Sequence, residues 1–520
     1  MTRTQHGARI GALIVLAAGL LGWLSANTAI FFDDGLRYIG QAQGIARGSV
    51  KDGLLHAVDH PAYPAAIALS HALIGGETPQ AWQTAAQAAS ALIGLMLIVP
   101  LYLVALELFG ERAAWLGVAL TFAVPLTGHI LADVLSEGTF LLFWTWGLYA
   151  GLRFLREGRF AWLPLMILGG GLAYLSRPEG LLLPAAMVAT LAFVPLMKST
   201  RMNWPRWWTA VGFLVIGPAL LVGPYVAAKG GIGTKPAVQR LLGTAPKSAP
   251  DAVERARPLD PNQSMARTTA EAVKAVFGAI RDAVTLPLLP LACFGLIVTV
   301  RRSMPERARV WLFLAIIAGV AFLALVRLHA TGGYCSPRHA MVLAMILIPA
   351  AAAGLDGLLT SLPIPSRWLG LGNEEKLAAG PAVWMLLIGG FLAWVSPSLL
   401  EPINVSKAGY KDAGAWVARY VPGGAKVVDV TGLSLFYSGH DGYTFATLDQ
   451  APADPDLRWI VVRDNHLRGP WTYCKQLGSL VDGLKPSKTF PEKPRPGQAR
   501  VYVFERPSRT AARTVAAPKG

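Results

Sequence analysis

The apolar residues of this chain fall into unbroken runs long enough to cross a lipid bilayer. The first, residues 11–32, reads GALIVLAAGLLGWLSANTAIFF. A helical crossing takes about 20 mostly apolar residues. On that measure we read eleven spans, at roughly 11–31, 82–106, 113–130, 138–154, 161–176, 180–196, 208–227, 284–300, 310–327, 339–360 and 380–398. The runs are continuous rather than alternating, which argues against a membrane β-barrel. Only 15% of the 520 residues are charged and the mean hydropathy is +0.44, whereas a soluble chain carries roughly a quarter charged residues. The expected class is an α-helical polytopic membrane protein.

The net charge of +16 does not indicate nucleic acid. The basic residues gather in short loops between spans, with no basic stripe interleaved with aromatics. Arg3 and Arg9, then Arg153, Arg156 and Arg159, then Lys198, Arg201 and Arg206, then Arg301, Arg302, Arg307 and Arg309 all fall on one side. By the positive-inside rule that side is cytoplasmic, so the N-terminus is expected inside a multi-pass protein of the inner (plasma) membrane. The first apolar run is longer than a secretory h-region and reads as an uncleaved anchor.

The organisation expected from this is a membrane domain over 1–400, with outer loops at 32–81 and 228–283. Within them, PAYPAAIALSHALIG (61–75) is apolar but too short to span and reads as an interfacial helix, and TTAEAVKAVFGAIRDAV reads as an amphipathic one. Residues 401–507 change character. Helices over AGYKDAGAWVARYV and WTYCKQLGSLVDG alternate with strands over AKVVDV, RWIVVRD and ARVYVFER, giving a small outer α/β domain. Residues 508–520 read as a basic, disordered tail. The three cysteines have no metal-binding spacing, and Cys335 and Cys474 are read as free thiols.

Chemistry-bearing residues recur at the outer face. Asp33 and Asp34 follow the first span at once. Ionisable residues at a membrane edge are costly and mark function by default, although a helix simply ending in water would look similar. Tyr38, His60 and Tyr63 follow, the latter two in HPAYP. Asp133 and Glu137, four apart, would share one face if helical. In SRPEG, Ser176 and Glu179 fit a capping box with Pro178 in the first turn, leaving Arg177 to meet an anion. In SPRH, Ser336–Pro337 reads as a helix start that sets Arg338 at an anion-favouring N-terminus, beside His339. No Walker A, GxSxG or HExxH pattern is present.

With DDGLRYIGQAQGIARG after the first span, HPAYP next, ADVLSEGTFLLF and LSRPEGLLLP in the middle, SPRHAMVLAMILIP later and AGAWVARYVPGGAKVV opening the last domain, the chain resembles the polytopic C-type glycosyltransferases that use polyprenyl-phosphate sugars. Protein O-mannosyltransferases and lipid A aminoarabinose transferases are among them. The resemblance implies a catalytic carboxylate at Asp33, with Asp34 the close alternative, and a second acid at Glu137 or Asp133. It implies donor-phosphate binding by Arg338 and Arg177. His60, Tyr63, Glu179, Tyr38 and His339 are the candidates for positioning substrate. The implied partners are the bilayer, a polyprenyl-phosphate sugar and a glycan, lipid or protein acceptor. A divalent metal is compatible with some distant members but nothing in the sequence requires a metal or other cofactor. His60–Pro61 stands where many lipid A and protein-modifying members have Lys-Pro-Pro, which leaves the acceptor class open. The expected reaction is inverting transfer of a sugar to a hydroxyl. The alternative is a transporter or flippase of lipid-linked saccharides, which would place ionisable residues inside its spans.

Overall fold

The computed structural model describes residues 3–196, 203–232, 238–239, 265–303, 307–361, 376–469 and 472–507. The expected tail at 508–520 and most of the loop 228–283 lie outside the described residues.

Six described helices are long and apolar enough to cross a membrane: Thr4–Asn27, Pro79–Phe109, Pro178–Leu196, Trp204–Lys229, Ala308–Gly332 and Pro337–Leu359. Two further pairs are broken. Glu111–Ala123 meets Pro125–Ala132 at 70°, and Thr268–Val284 meets Leu288–Ser303 at 93°. Counting each pair once gives eight, so the expected eleven separate spans are not seen as such among the described residues. The helices Trp162–Tyr174 and Met385–Leu399 are apolar but short. The helix Glu137–Glu157 carries charge at both ends.

Proline places the breaks. Val124 precedes Pro125 and is extended, the conformation that a following proline ring imposes. Thr285, just before Leu286–Pro287, has φ +73°. The expected amphipathic helix is present as Met265–Val284, and the stretch 61–75 forms the helix Ala62–Ile74. Leu69 and Leu73 on the latter are exposed.

Small residues let two helices touch. A Cβ on Gly295 would come within 2.0 Å of the Ala350 carbonyl, and one on Gly354 within 2.0 Å of the Leu291 carbonyl. Close backbone approach of this kind is how helices associate in lipid, where burial of apolar surface adds little.

The C-terminal region is a three-layer α/β unit. Its strands are β1 (Lys426–Val428), β2 (Gly442–Tyr443), β3 (Leu457–Arg463), β4 (Pro486–Phe490) and β5 (Val501–Glu505), in the order β2-β1-β3-β5-β4. β1 runs parallel to β2 and β3, and β5 antiparallel to β3 and β4. Alternation along β3 sends Trp459 and Val461 to one face and Ile460 and Val462 to the other. The first face packs under the helix Gly409–Tyr420 and joins the core of the membrane helices, while the second is covered by Leu477 and Cys474 of the helix Thr472–Val481. β2 and β4 were not expected from the sequence. All three cysteines are free thiols in the structure.

The segment between the last apolar helix and this unit is strapped to the first span. Trp23 Nε1 donates to the Leu400 carbonyl at 3.3 Å, the Ile403 N–H to Thr28 Oγ1 at 3.2 Å, and Asn404 Nδ2 to the Ile30 carbonyl at 3.2 Å. Further on, Tyr437 donates to Gln83 Oε1 at 2.6 Å and packs with Phe436 on Phe31.

Candidate functional site

Six stretches of chain meet where the first span ends. The Asp33–Asp34 pair opens the helix Asp34–Ala46. Adjacent in sequence, the two carboxylates have different surroundings. Asp34 is 7% exposed at its side chain. It accepts from Arg338 Nη2 at 2.7 Å and pairs with Arg37 Nη2 at 3.1 Å. Asp33 is 35% exposed and pairs with Lys407 Nζ at 2.7 Å, leaving its buried Oδ1 without a hydrogen bond. Phe32 lies under both cations, 4.7 Å from the Arg338 guanidinium carbon and 4.0 Å from Lys407 Nζ.

Arg177 and Arg338 converge on one atom. Arg177 Nη1 donates to Glu137 Oε1 at 2.8 Å, and Arg338 Nε lies 3.7 Å from the same oxygen. Arg177 also holds Glu179 at 3.0 Å. Burial works against the Arg177 charge, but Glu179 and Glu137 together outweigh it and hold the guanidinium above its ordinary range. Arg338 Nε and Glu137 Oε2 are buried and make no hydrogen bond.

Asp133 and Glu137 do not share a helical face. The short helix Pro125–Ala132 stops at Asp133, which is extended, and the next begins at Glu137. The Asp133 carboxylate accepts from the Val134 N–H at 2.7 Å, the Phe32 N–H at 3.1 Å and Asn404 Nδ2 at 2.9 Å. An Asp that bonds the following backbone offers the chain an alternative to helix. Burial raises its pKa, and the bonds from Asn404, Val134 and Phe32 oppose that rise. Asp133 thus fixes the backbone next to Asp33, whereas Glu137 meets the arginines.

The expected capping box at Ser176 is not formed either. Ser176 Oγ donates to the Leu172 carbonyl at 3.1 Å, and the 3-10 turn Pro178–Leu181 follows Arg177 without a side-chain cap. At Ser336–Pro337 the expected helix start is present, and it is a true capping box: the Ser336 N–H donates to His339 Nδ1 at 3.2 Å. His339 is therefore committed to its own helix start.

Tyr38 shares a hydrogen bond with Ser136 Oγ at 2.9 Å, and burial holds its pKa well above the usual phenol value. Tyr63 packs edge-on against Tyr38 and shares a bond with Ser90 Oγ at 2.7 Å. Tyr63 has no exposed surface; it forms part of the wall behind Tyr38. His60 is buried against Tyr174 and Tyr225. Among the described residues, no group of three His, Cys, Asp or Glu side chains could hold a metal ion.

With this geometry the chain can be set beside known proteins. The sequence model described as "Dolichyl-phosphate-mannose-protein mannosyltransferase" matches residues 58–221. Among curated proteins, none matches by sequence. In structure, ArnT from Cupriavidus metallidurans bound to undecaprenyl phosphate is similar at a TM-score of 0.56 and 15% identity, with 100% of each chain covered. AglB, the archaeal oligosaccharyltransferase from Archaeoglobus fulgidus, in complex with an inhibitory peptide and a dolichol-phosphate, gives a TM-score of 0.60 and 12% identity over 100% of this chain and 76% of that one. The apo form of the Archaeoglobus fulgidus oligosaccharyltransferase gives 0.60 and 13% over 88% and 70%.

The fold is that of the C-type membrane glycosyltransferases.

Within that C-type fold, sequence reasoning missed four neighbours of the site. Asp59, 2% exposed, accepts from Arg37 Nε at 2.8 Å. It sits directly before His60, at the edge of the run HPAYP. Lys407 and Asn404 reach Asp33 and Asp133 from more than 270 residues away, and no local pattern marks them. Phe32 looked like the end of an apolar run.

Proposed function

We propose that this protein is an inverting glycosyltransferase that moves a sugar from a polyprenyl-phosphate donor to a hydroxyl acceptor. The observation that carries this reading is the convergence of two largely covered arginines from separate loops on one Glu137 oxygen, beside the Asp33–Asp34 pair. In the reaction, the acceptor hydroxyl gives its proton to Asp33 as its oxygen bonds to the anomeric carbon. The bond from that carbon to the phosphate oxygen breaks, and polyprenyl phosphate leaves as an anion. Asp33 suits the base because one of its oxygens has no hydrogen bond and the residue is partly open. Asp34 suits a supporting role because two arginines occupy it. Arg338 suits the leaving group: its Nε donor is unspent, and Glu137 can yield Arg177 and Arg338 to a phosphate.

An apolar groove of about 850 Å³ runs between the later spans, lined among others by Phe322, Leu343, Ile346 and Trp311. Leu343 is five residues past Arg338, about 9 Å along the axis at about 2.0 Å per residue through the 3-10 turn Pro337–Ala340 and 1.5 Å in the helix from Met341. The groove is lined from Leu343, near Arg338, to Trp311 at the opposite ends of the spans, which supports it as a place for a prenyl chain lying along them. The ionisable residues gather at the ends of spans, which gives the flippase alternative no support. The basic loops support an outer location for this face; a reporter fused after residue 510 should then be active only outside, and cytoplasmic activity would reverse the orientation.

The test of the chemistry is direct. Protein in lipid nanodiscs is incubated with a panel of polyprenyl-phosphate sugars and saccharide acceptors, and release of polyprenyl phosphate is measured. Release should occur with at least one donor and fall about 100-fold or more in Arg338→Gln, the order of loss when one preorganised donor to a developing anion is removed. Folded protein that releases nothing from any donor would overturn the reading.

A further inference from the structure

At the end of the spans away from Asp33, the apolar groove between the later helices meets a concentration of arginine. The groove is lined there by Phe193 and Leu196 from the end of the span Pro178–Leu196, by Val300 from the last turn of the helix Leu288–Ser303, and by Ala308 and Trp311 from the first turn of the span Ala308–Gly332. Between Val300 and Val310 the chain reads RRSMPERAR, four arginines to one glutamate. Arg301 and Arg302 are exposed. Arg307 Nη1 donates to the Glu107 carbonyl at 2.9 Å. The Glu107 carboxylate, 8% exposed, pairs with Arg156 and lies 3.8 Å from Arg153 Nη1, and Glu157 pairs with Arg153 and Arg159. Here too the cations outnumber the acids, and Arg153 and Arg156 stay 31% and 40% exposed.

Tryptophans mark the depth. Trp311 Nε1 donates to Ser303 Oγ at 2.9 Å and Trp207 Nε1 to the Leu191 carbonyl at 2.9 Å. The Arg153 guanidinium carbon lies 5.2 Å from the centre of the Trp162 ring. Trp204 and Trp208, both packed on Trp207, are exposed. Tryptophan gathers at the headgroup level of a bilayer, so these arginines stand where lipid phosphates lie.

A sidedness bias needs only that basic residues fall on one side. It does not need them beside a slot. A basic pocket between membrane helices at this level is what an anionic headgroup recognises. Along the span, Ala308 to Phe322 covers about 21 Å at 1.5 Å per residue. One leaflet is about 15 Å, half of the hydrocarbon core. A chain entering from this leaflet therefore ends near Ala318, which leaves Phe322 and Leu343 to a prenyl chain entering from the other end. The phosphate of the transfer reaction cannot serve here, because Ala308 and Gly332 are about 36 Å apart along the helix. We infer that this end of the groove is a binding site for an anionic glycerophospholipid of the leaflet away from Asp33, with an acyl chain against Val300 and Trp311 and its phosphate at the arginines. The site goes beyond the transfer reading and does not depend on it.

The test reconstitutes the full chain in phosphatidylcholine nanodiscs containing a small fraction of phosphatidylglycerol, and native mass spectrometry counts the lipids that stay bound. Phosphatidylglycerol should be retained over phosphatidylcholine of the same chains. The double variant Arg301→Gln, Arg302→Gln should weaken that retention about thirtyfold, the order expected when two arginines leave an anionic surface. Ala315 tests the slot. It is exposed and lines the groove, so Ala315→Phe, or the smaller filler Ala315→Leu, occupies the path of the chain without entering the packed core. Retention should then fall by about tenfold or more, since burial of two methylenes is already worth that. The comparison uses variants that unfold at the wild-type temperature in phosphatidylcholine alone. Retention lost in the arginine variant but unchanged in both Ala315 variants would mean that surface charge attracts lipid without a site, and overturns the inference. Equal retention of the two lipids by the wild type does the same. So does displacement of phosphatidylglycerol by an equal concentration of undecaprenyl phosphate, which would give this end of the groove to the donor lipid.

Discussion

The two adjacent carboxylates make a sharp experiment, because their surroundings predict opposite kinds of damage. Asp34→Asn removes charge from a site where the acid is 7% and Arg338 11% exposed. Breaking a buried ion pair costs roughly 3–5 kcal/mol. Here Arg37 keeps Asp59 at 2.8 Å and Arg338 keeps Glu137 at 3.7 Å, and the amide keeps one acceptor, so about 3 kcal/mol, the low end, is expected. Asp33→Asn acts on a carboxylate that is 35% exposed. Lys407 loses its partner there but keeps the face of Phe32 at 4.0 Å, a contact worth about 0.5–2 kcal/mol, so stability should change by about 1 kcal/mol or less. Its turnover should fall by about 10²–10⁴, which is about 2.7–5.4 kcal/mol at 1.36 kcal/mol per factor of ten. The assay pairs thermal unfolding in nanodiscs with release of polyprenyl phosphate. A stable, active Asp33→Asn together with a stable but inactive Asp34→Asn would refute the division of labour. Full activity in both would remove the pair from the chemistry altogether.

Two further outcomes are expected. Asp133→Ala should loosen the strap at 400–407, since the Phe32 N–H and Asn404 lose their acceptor; hydrogen exchange there should speed up by more than tenfold, and unchanged protection would refute the anchoring role. In the C-terminal unit, burial, then Arg463 and Lys407, push the His466 pKa down to about 3 from its usual value near 6.5. A histidine whose folded pKa is depressed binds its proton more readily when unfolded, so its stability contribution is full above pH 6.5 and is lost as pH falls toward 3. Above about pH 5, where most carboxylates stay ionised, the unfolding temperature should decline with acid in the wild type and hold flatter in His466→Gln; parallel profiles would refute this.

What the sequence disclosed follows the range of the interaction. Local patterns were readable: the helix start at Ser336–Pro337, the helix Ala62–Ile74, and β1, β3 and β5 all lie where alternation and turn residues placed them. Local competition misled. Spacing of four suggested a helical pair at Asp133 and Glu137, but the Asp133 carboxylate captures its neighbour's N–H and ends the helix. Ser176 fitted a cap, but the carbonyl of Leu172 claimed it. The two-residue β2 is too short to carry a pattern, and β4 (PSKTF) opens on a proline. The distinction between Asp33 and Asp34 was beyond any local reading, because it is made by Lys407, Arg37 and Arg338, two of which lie some 300 residues or more away.

That same reach sets the order in which the protein can be made. Lys407 and Asn404 emerge from the ribosome after the described apolar helices have been synthesised, yet they touch the carboxylates that follow the first span and end the helix Pro125–Ala132. Until residue 407 has appeared, Asp33 lacks its cation and Asp133 one of its three donors. Closing contacts over such separations is slow compared with forming helices, so the spans will be in place before the site is. A nascent chain, or a fragment ending with the last apolar helix, is a membrane protein with an unfinished centre, and the unit built on β1–β5 supplies the closing piece.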